Sequence, residues 1–181
     1  MANEKKLDCV ILGLLSHEDL TGYEIKRRID TALKYFWSAS FGSIYPTLKE
    51  LVAQGFATKS EKAENDRNKV TYTITEQGRH YLKNWLELSV DKDELRYETL
   101  LKLFFADSAS DKTAIRHIEN FEAKIKAELP HLMSMVKNLE SMDDGNRAHA
   151  YYLLTARFGV KAYEAYLDWC EEAIGTLRAE E

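Results

Sequence analysis

The spacing of the apolar residues changes twice along the first half of this chain, and this change constrains the fold more than any other feature. Apolar residues recur at helical intervals in 7–15, 21–29 and 42–54. In 56–74 they alternate with polar residues, and β-branched and aromatic side chains flank a polar stretch, which predicts a β-hairpin. Helical spacing returns in 75–86. Three helices, a hairpin and a helix, in this order, predict a winged helix-turn-helix.

The second helix carries a clear start signal. Thr21 precedes Glu24 by three positions, so each side chain is able to bond the other residue's backbone N–H in a capping box. We expect Tyr23, Ile25 and Ile29 on the inner side of this helix. Thr75 is expected to cap the fourth helix in a similar way.

The third helix is the one that a winged helix-turn-helix presents to the DNA major groove. Its apolar residues form one stripe: Ile44, Leu48, Leu51 and Val52. Gly55 is expected to end it. We expect Ser43 to be the N-cap, because Pro46 would then stand in the first turn, where a missing backbone N–H costs nothing.

Composition and charge exclude several classes of protein. Two prolines and eight glycines among 181 residues favour a globular, mainly α-helical chain, and two cysteines are too few for a disulfide scaffold. The longest apolar run is too short to span a bilayer, so we expect no signal peptide, no membrane helix and a cytoplasmic location. The net charge is −5, and the acidity is concentrated after residue 86, which favours an anion-binding module in the first half.

The acidic second half is predicted to be helical to its end. Its apolar positions recur every three or four residues on one short and two long helices. These helices cannot cover all of that apolar surface alone, so we expect a second copy of the chain to cover it in a homodimer. The predicted fold class is therefore mainly α with a small β wing. A winged helix-turn-helix DNA-binding domain is expected at 1–88, and a helical dimerisation domain, with an effector site, at 89–181.

Nothing in the sequence points to an enzyme. The five histidines do not have the spacing of a metal site, and the chain lacks a glycine-rich phosphate loop and a nucleophile elbow. We expect no catalytic residue, no metal and no cofactor.

The stretch GSIYPTLKELVAQGFA at 42–57, preceded by LTGYEIKRRI at 20–29 and followed by TEQGR at 75–79, resembles the PadR family of bacterial transcriptional regulators. The helical remainder is similar to the longer C-terminal domain of the branch related to virulence activators. The resemblance implies a dimer that binds a palindromic double-stranded DNA operator, usually as a repressor. It also implies release of the DNA by small aromatic or amphipathic compounds.

Carried onto this sequence, the resemblance assigns DNA contacts to three elements. Hydroxyls and an ammonium group on the third helix suit base edges and phosphates, and they belong to Ser43, Tyr45, Thr47 and Lys49. The second helix would brace the DNA backbone through Tyr23, Lys26 and Arg27. The wing would reach the minor groove through Arg67 and Lys69.

Each assignment has a structural alternative. Tyr45 would otherwise pack against the first helix, and 26–28 would otherwise form a solvated face. Glu64 and Asp66 nearly cancel the charge of the wing tip. Four aromatic residues line either an effector pocket between the two domains or the core: Tyr35, Phe36, Trp37 and Phe41. The alternative function is a helical dimer that binds a small hydrophobic ligand or a protein partner without DNA. The polar residues at 43, 45, 47 and 49 favour DNA.

Overall fold

The computed structural model describes residues 2–64, 67–90, 97–142 and 144–179, and it places the side chains of these residues except those at 2–5 and 62–69. The chain divides into two compact units, residues 1–93 and 94–181. None of the helices in the described part of the chain has the length and apolar composition that a membrane span requires.

The first unit is a winged helix-turn-helix, so the predicted fold class is confirmed. Its elements, in chain order, are α1 (Ala2–Leu15), β1 (Leu20–Thr21), α2 (Gly22–Arg28), α3 (Phe41–Ala53), β2 (Ala57–Glu64), β3 (Arg67–Ile74) and α4 (Glu76–Glu87). A π-helical turn at Ile29–Leu33 extends α2. The strands form an antiparallel sheet in the order β1-β3-β2, in which β1 is a two-residue strand that the apolar pattern did not predict.

The core of the first unit lies between its helices and the base of the hairpin. Ile11, Ile25, Ile44 and Leu48 are fully buried there, with Ile74 of β3 closing the cluster. Partly buried side chains of α4, Tyr81 and Leu82, pack against the same cluster. The core therefore fixes α2 and α3 on one scaffold.

The second helix begins as predicted, but one of its side chains points the other way. Ile25 and Ile29 are buried, whereas Tyr23 is 63% exposed, so its expected inward position is wrong. The inner position at this end of α2 is taken by Gly22, which is buried against the ring of Tyr45.

Thr75 and Gly78 attach α4 to the base of the hairpin. The Thr75 hydroxyl accepts the backbone N–H of Gly78 at 3.0 Å, as predicted for an N-cap, and donates to the carbonyl of Gly55 at 2.7 Å. A Cβ atom at residue 78 would collide with the carbonyl oxygen of Phe56, so only glycine fits there. The TEQGR motif thus holds the start of α4 against the base of the hairpin.

The second unit is built on two long helices that pack along one another. Its elements are α5 (Glu98–Phe104), a 3₁₀ turn (Ala106–Ser108), α6 (Asp111–Glu140) and α7 (Arg147–Ala179). Ile118 of α6 and Cys170 of α7 are fully buried in its core. Much apolar surface stays exposed in the single chain, including Phe104 and Phe105 at the end of α5 and Leu154 and Phe158 on α7.

Candidate nucleic-acid interface

The start of α2 is fixed by two reciprocal hydrogen bonds. The backbone N–H of Glu24 donates to the Thr21 hydroxyl at 3.1 Å, and the backbone N–H of Thr21 donates to the Glu24 carboxylate at 2.8 Å. Both halves of the predicted capping box are therefore present. Because Thr21 also pairs with Thr71 of β3, the same residue ties α2 to the sheet.

The third helix starts earlier than the sequence predicts. Its N-cap is Ser40, and the expectation that Ser43 would cap it is wrong. The Ser40 carbonyl accepts the backbone N–H groups of both Ser43 and Ile44 at 3.1 Å. Pro46 is therefore the sixth helical residue, beyond the first turn, and it has no N–H to donate to the carbonyl of Gly42.

The stripe that holds α3 in the core leaves the rest of the helix exposed to different degrees. Ile44, Leu48 and Leu51 are buried. Tyr45 and Lys49 are exposed, whereas Ser43 and Thr47 are half-buried on one flank. The two hydroxyls bond within the helix, since Ser43 donates to the Ser40 carbonyl and Thr47 to the Ser43 carbonyl, each at 2.8 Å.

Tyr45 packs against the start of the second helix. Its ring lies on Gly22, and it stacks with the ring of Phe41 at a centroid distance of 6.2 Å. The side chain is still 49% exposed. One face of Tyr45 is therefore seated on protein while the rest is accessible.

The basic residues of α2 differ in how firmly they are held. Lys26 forms an ion pair with Asp30, lies 5.6 Å from the centroid of the Phe41 ring, and is only 17% exposed. Arg28 pairs with Glu18. Arg27 is exposed. The side chains of Arg67 and Lys69 lie outside the described residues.

The four aromatic candidates for an effector pocket have different surroundings. Trp37 packs against the core of the first unit, and its indole N–H is buried without a hydrogen-bond partner among the described residues. Phe36 is exposed, and Phe41 lies under Lys26 beside Tyr45. Tyr35 lies under the ammonium group of Lys34, which is 4.9 Å from its ring centroid.

Three further residues of α3 belong to its exposed side and were not among the predicted DNA contacts. Gly42, Pro46 and Glu50 recur at helical spacing and are exposed. Glu50 accepts a hydrogen bond from the Gln54 side-chain amide at 2.8 Å. Counting positions opposite the Ile44 and Leu48 stripe would have found all three.

The chain is similar to known transcriptional regulators over nearly its whole length. Residues 11–84 match the model of the transcriptional regulator PadR-like family, and residues 95–178 match the model described as virulence activator alpha C-term. The negative transcriptional regulator PadR of Bacillus subtilis is 29% identical over 177 residues, which cover 94% of this chain and 97% of that protein.

Solved structures of Bacillus subtilis PadR resemble this chain, among them two complexes. The structure in complex with operator DNA matches with a TM-score of 0.80 and 31% identity, over 94% of this chain and 98% of that one. The structure in complex with p-coumaric acid matches with a TM-score of 0.73 and 29% identity, over 97% of each chain.

Proposed function

Because this chain belongs to the PadR-like family of transcriptional regulators, we propose that it binds a palindromic double-stranded DNA operator as a homodimer and represses transcription there. We propose further that a small aromatic or amphipathic compound releases the DNA. The similar protein from Bacillus subtilis is a negative regulator that was solved with operator DNA and with p-coumaric acid, which supports both parts.

The observation that carries the proposal is the two-sided character of α3. One side anchors the helix in the core through Ile44, Leu48 and Leu51, and the opposite side is accessible. An anchored helix with an accessible polar side is what the major groove admits. The residues proposed to contact DNA from this helix are Ser43, Tyr45, Thr47 and Lys49.

The second helix and the wing supply the remaining proposed contacts. Arg27, which is exposed, and Tyr23 would contact phosphates beside the groove. Lys26, held between Asp30 and the ring of Phe41, would add positive charge from a fixed position. Arg67 and Lys69 are proposed to reach the DNA from the wing.

The proposal assigns dimerisation to residues 89–181 and DNA binding to residues 1–88. Exposed apolar side chains on α7, Tyr151, Leu154 and Phe158, recur at helical spacing and form a stripe that a second copy would cover. Two copies related by a twofold axis present two α3 helices, which suits an inverted repeat.

Trp37 is the strongest of the four candidates for the effector site. Its buried indole N–H has no partner among the described residues, and buried polar groups normally have one. An acceptor atom of an aromatic ligand would satisfy it. We propose the effector site around Tyr35, Phe36, Trp37 and Phe41, no catalytic step, and action in the cytoplasm, where the operator is.

Selection from random duplexes tests the proposed function. We expect the full-length protein to enrich duplexes with two inverted half-sites whose centres are about one helical turn apart. Lys49→Ala should weaken binding to the enriched duplex and lower the slope of log affinity against log salt by about one. Thr176→Ala on α7 is the matched control and should change neither. A wild-type protein that enriches no duplex contradicts the proposal.

A further inference from the structure

Three side chains on one flank of α3 are able to act as hydrogen-bond acceptors. Ser43, Thr47 and Glu50 are four and three positions apart, so they lie along one side of the helix. We call these three residues the acceptor flank. A hydroxyl has a single proton, and those of Ser43 and Thr47 are donated to carbonyls of the helix and its cap, each at 2.8 Å. Both oxygens therefore keep lone pairs that are able to accept, and the Ser43 oxygen also lies 3.3 Å from the Ser40 hydroxyl, which is able to donate to one of them.

Glu50 extends the same property by one turn. An ionised carboxylate has no proton to donate. The side-chain amide of Gln54 donates to one of its oxygens at 2.8 Å, which holds the carboxylate beside the helix and leaves its other oxygen to accept. The acceptor flank thus runs over two helical turns.

The acceptor flank discriminates between two kinds of polar group on DNA, the phosphates and the amino groups of the bases. Phosphates offer only acceptors and negative charge, so the acceptor flank cannot hydrogen-bond the DNA backbone, and Glu50 repels it. In the major groove the donors are the exocyclic amino groups, N6 of adenine and N4 of cytosine. We propose that the acceptor flank selects adenine and cytosine on the strand that faces it. This inference rests on the proposed function, because it requires α3 in the major groove.

The competing explanation is that the hydroxyls of Ser43 and Thr47 only hydrogen-bond backbone carbonyls and take no part in DNA recognition. Thr176 on α7 provides a matched control, because its hydroxyl makes the same kind of bond, to the Glu172 carbonyl at 3.0 Å. Thr47→Val and Thr176→Val both remove such a bond and keep the branched shape of the side chain. Only Thr47→Val also removes an oxygen from the acceptor flank.

The experiment removes the amino groups from the DNA one at a time. The full-length wild type, Thr47→Val and Thr176→Val are titrated with the duplex enriched by selection. They are then titrated with copies in which each adenine is replaced by purine, which lacks the N6 amino group, or each cytosine by 2-pyrimidinone, which lacks the N4 amino group. Ser43→Ala serves as a second variant should Thr47→Val fail to fold.

We expect at least one replacement to weaken wild-type binding about 3- to 10-fold, as the loss of one hydrogen bond would. The same replacement should cost Thr47→Val, or Ser43→Ala, almost nothing, and Thr176→Val should behave like the wild type. If every replacement costs the variants as much as the wild type, the acceptor flank does not read bases, while the proposed function stands. A wild type that enriches no duplex overturns both.

Discussion

The ring of Tyr45 lies so close to Gly22 that a Cβ atom at residue 22 would come within 2.7 Å of it. This contact joins the first turn of α2 to the exposed side of α3. Any side chain at residue 22 would displace the ring. Tyr45 can therefore take its observed direction only because residue 22 is a glycine.

Gly22→Ala should therefore weaken DNA binding through Tyr45. The backbone at residue 22 is not in the left-handed region, so alanine fits the helix and the collision with Tyr45 is the main effect. We expect affinity for the selected duplex to fall about 5- to 20-fold, the range for one lost contact. Fluorescence anisotropy measures it.

The control for this change is Gly13→Ala, where a Cβ atom would meet nothing within 4 Å. It should leave affinity unchanged. In a Tyr45→Ala background, Gly22→Ala should cause no further loss. If Gly22→Ala lowers DNA affinity equally in the wild type and in the Tyr45→Ala background, its effect does not depend on Tyr45.

Gly78→Ala should destabilise the protein. The added Cβ atom would collide with the backbone carbonyl of Phe56, which the pairing of Thr75 N–H with the same carbonyl at 3.0 Å holds in place. We expect a loss of about 1–3 kcal/mol in the free energy of unfolding. Urea denaturation measures it, with Gly175→Ala as control because its Cβ atom would meet open space. If the two variants were equally stable, the close contact of Gly78 with the Phe56 carbonyl would not hold α4 against the hairpin.

Phe158→Glu should break the proposed dimer. Phe158 is 72% exposed in the single chain and lies in the apolar stripe of α7. A twofold interface contains each residue twice, so the loss of two buried phenyl groups should weaken association on the order of 100-fold or more. Sedimentation velocity at micromolar concentration measures it. Thr176→Glu changes an exposed residue of the same helix and should stay dimeric. If Phe158→Glu also stays dimeric, the interface does not include Phe158.

The thiol of Cys9 should make the first unit less stable at alkaline pH. Burial raises its pKa to about 11, and the Asp8 carboxylate adds to the effect. The cysteine thiol of an unfolded chain has a pKa of about 8.5, so above that pH the unfolded state loses a proton that the folded state keeps. Stability from this group is complete below about 8.5 and falls as pH rises toward about 11.

Urea denaturation between pH 8 and 10.5 measures this loss. Cys9→Ala removes the titrating group, so its stability should decline less steeply with pH than that of the wild type. Burial also raises the pKa values of Tyr72 and Tyr81; the contribution of Tyr72 is the same in both proteins, whereas Cys9 adds to the raised pKa of Tyr81, so removal of Cys9 also reduces that shift. Identical slopes would show that Cys9 does not ionise differently in the two states.

The elements that the sequence predicted well are those with a local physical signature. The capping box of Thr21 and Glu24 needs only a spacing of three, and the stripe of Ile44 and Leu48 needs only a helical period. The start of α3 has no such signature, because Ser40 and Ser43 are equally good caps and the intervening Phe41 is exposed.

Parts of the candidate interface depend on contacts that spacing does not encode. Tyr23 faces outward because residues two positions apart on an α-helix do not share a face and Ile25 is the buried one, whereas the contact of Gly22 with Tyr45 is not visible in the spacing. The hydroxyl of Thr47 looks like a free donor in the sequence, and only the fold shows its proton bonded to the Ser43 carbonyl. A strand of two residues, such as β1, is too short to show alternation.

Two copies of α3 that enter the major groove of one duplex would shield the bases there, and methylation protection detects this shielding. Methylation by dimethyl sulfate reports access to guanine N7, an atom of the major groove. On the selected duplex, we expect two protected clusters on one face of the DNA, centred about one helical turn apart. Binding that leaves every N7 in both half-sites reactive would contradict this expectation.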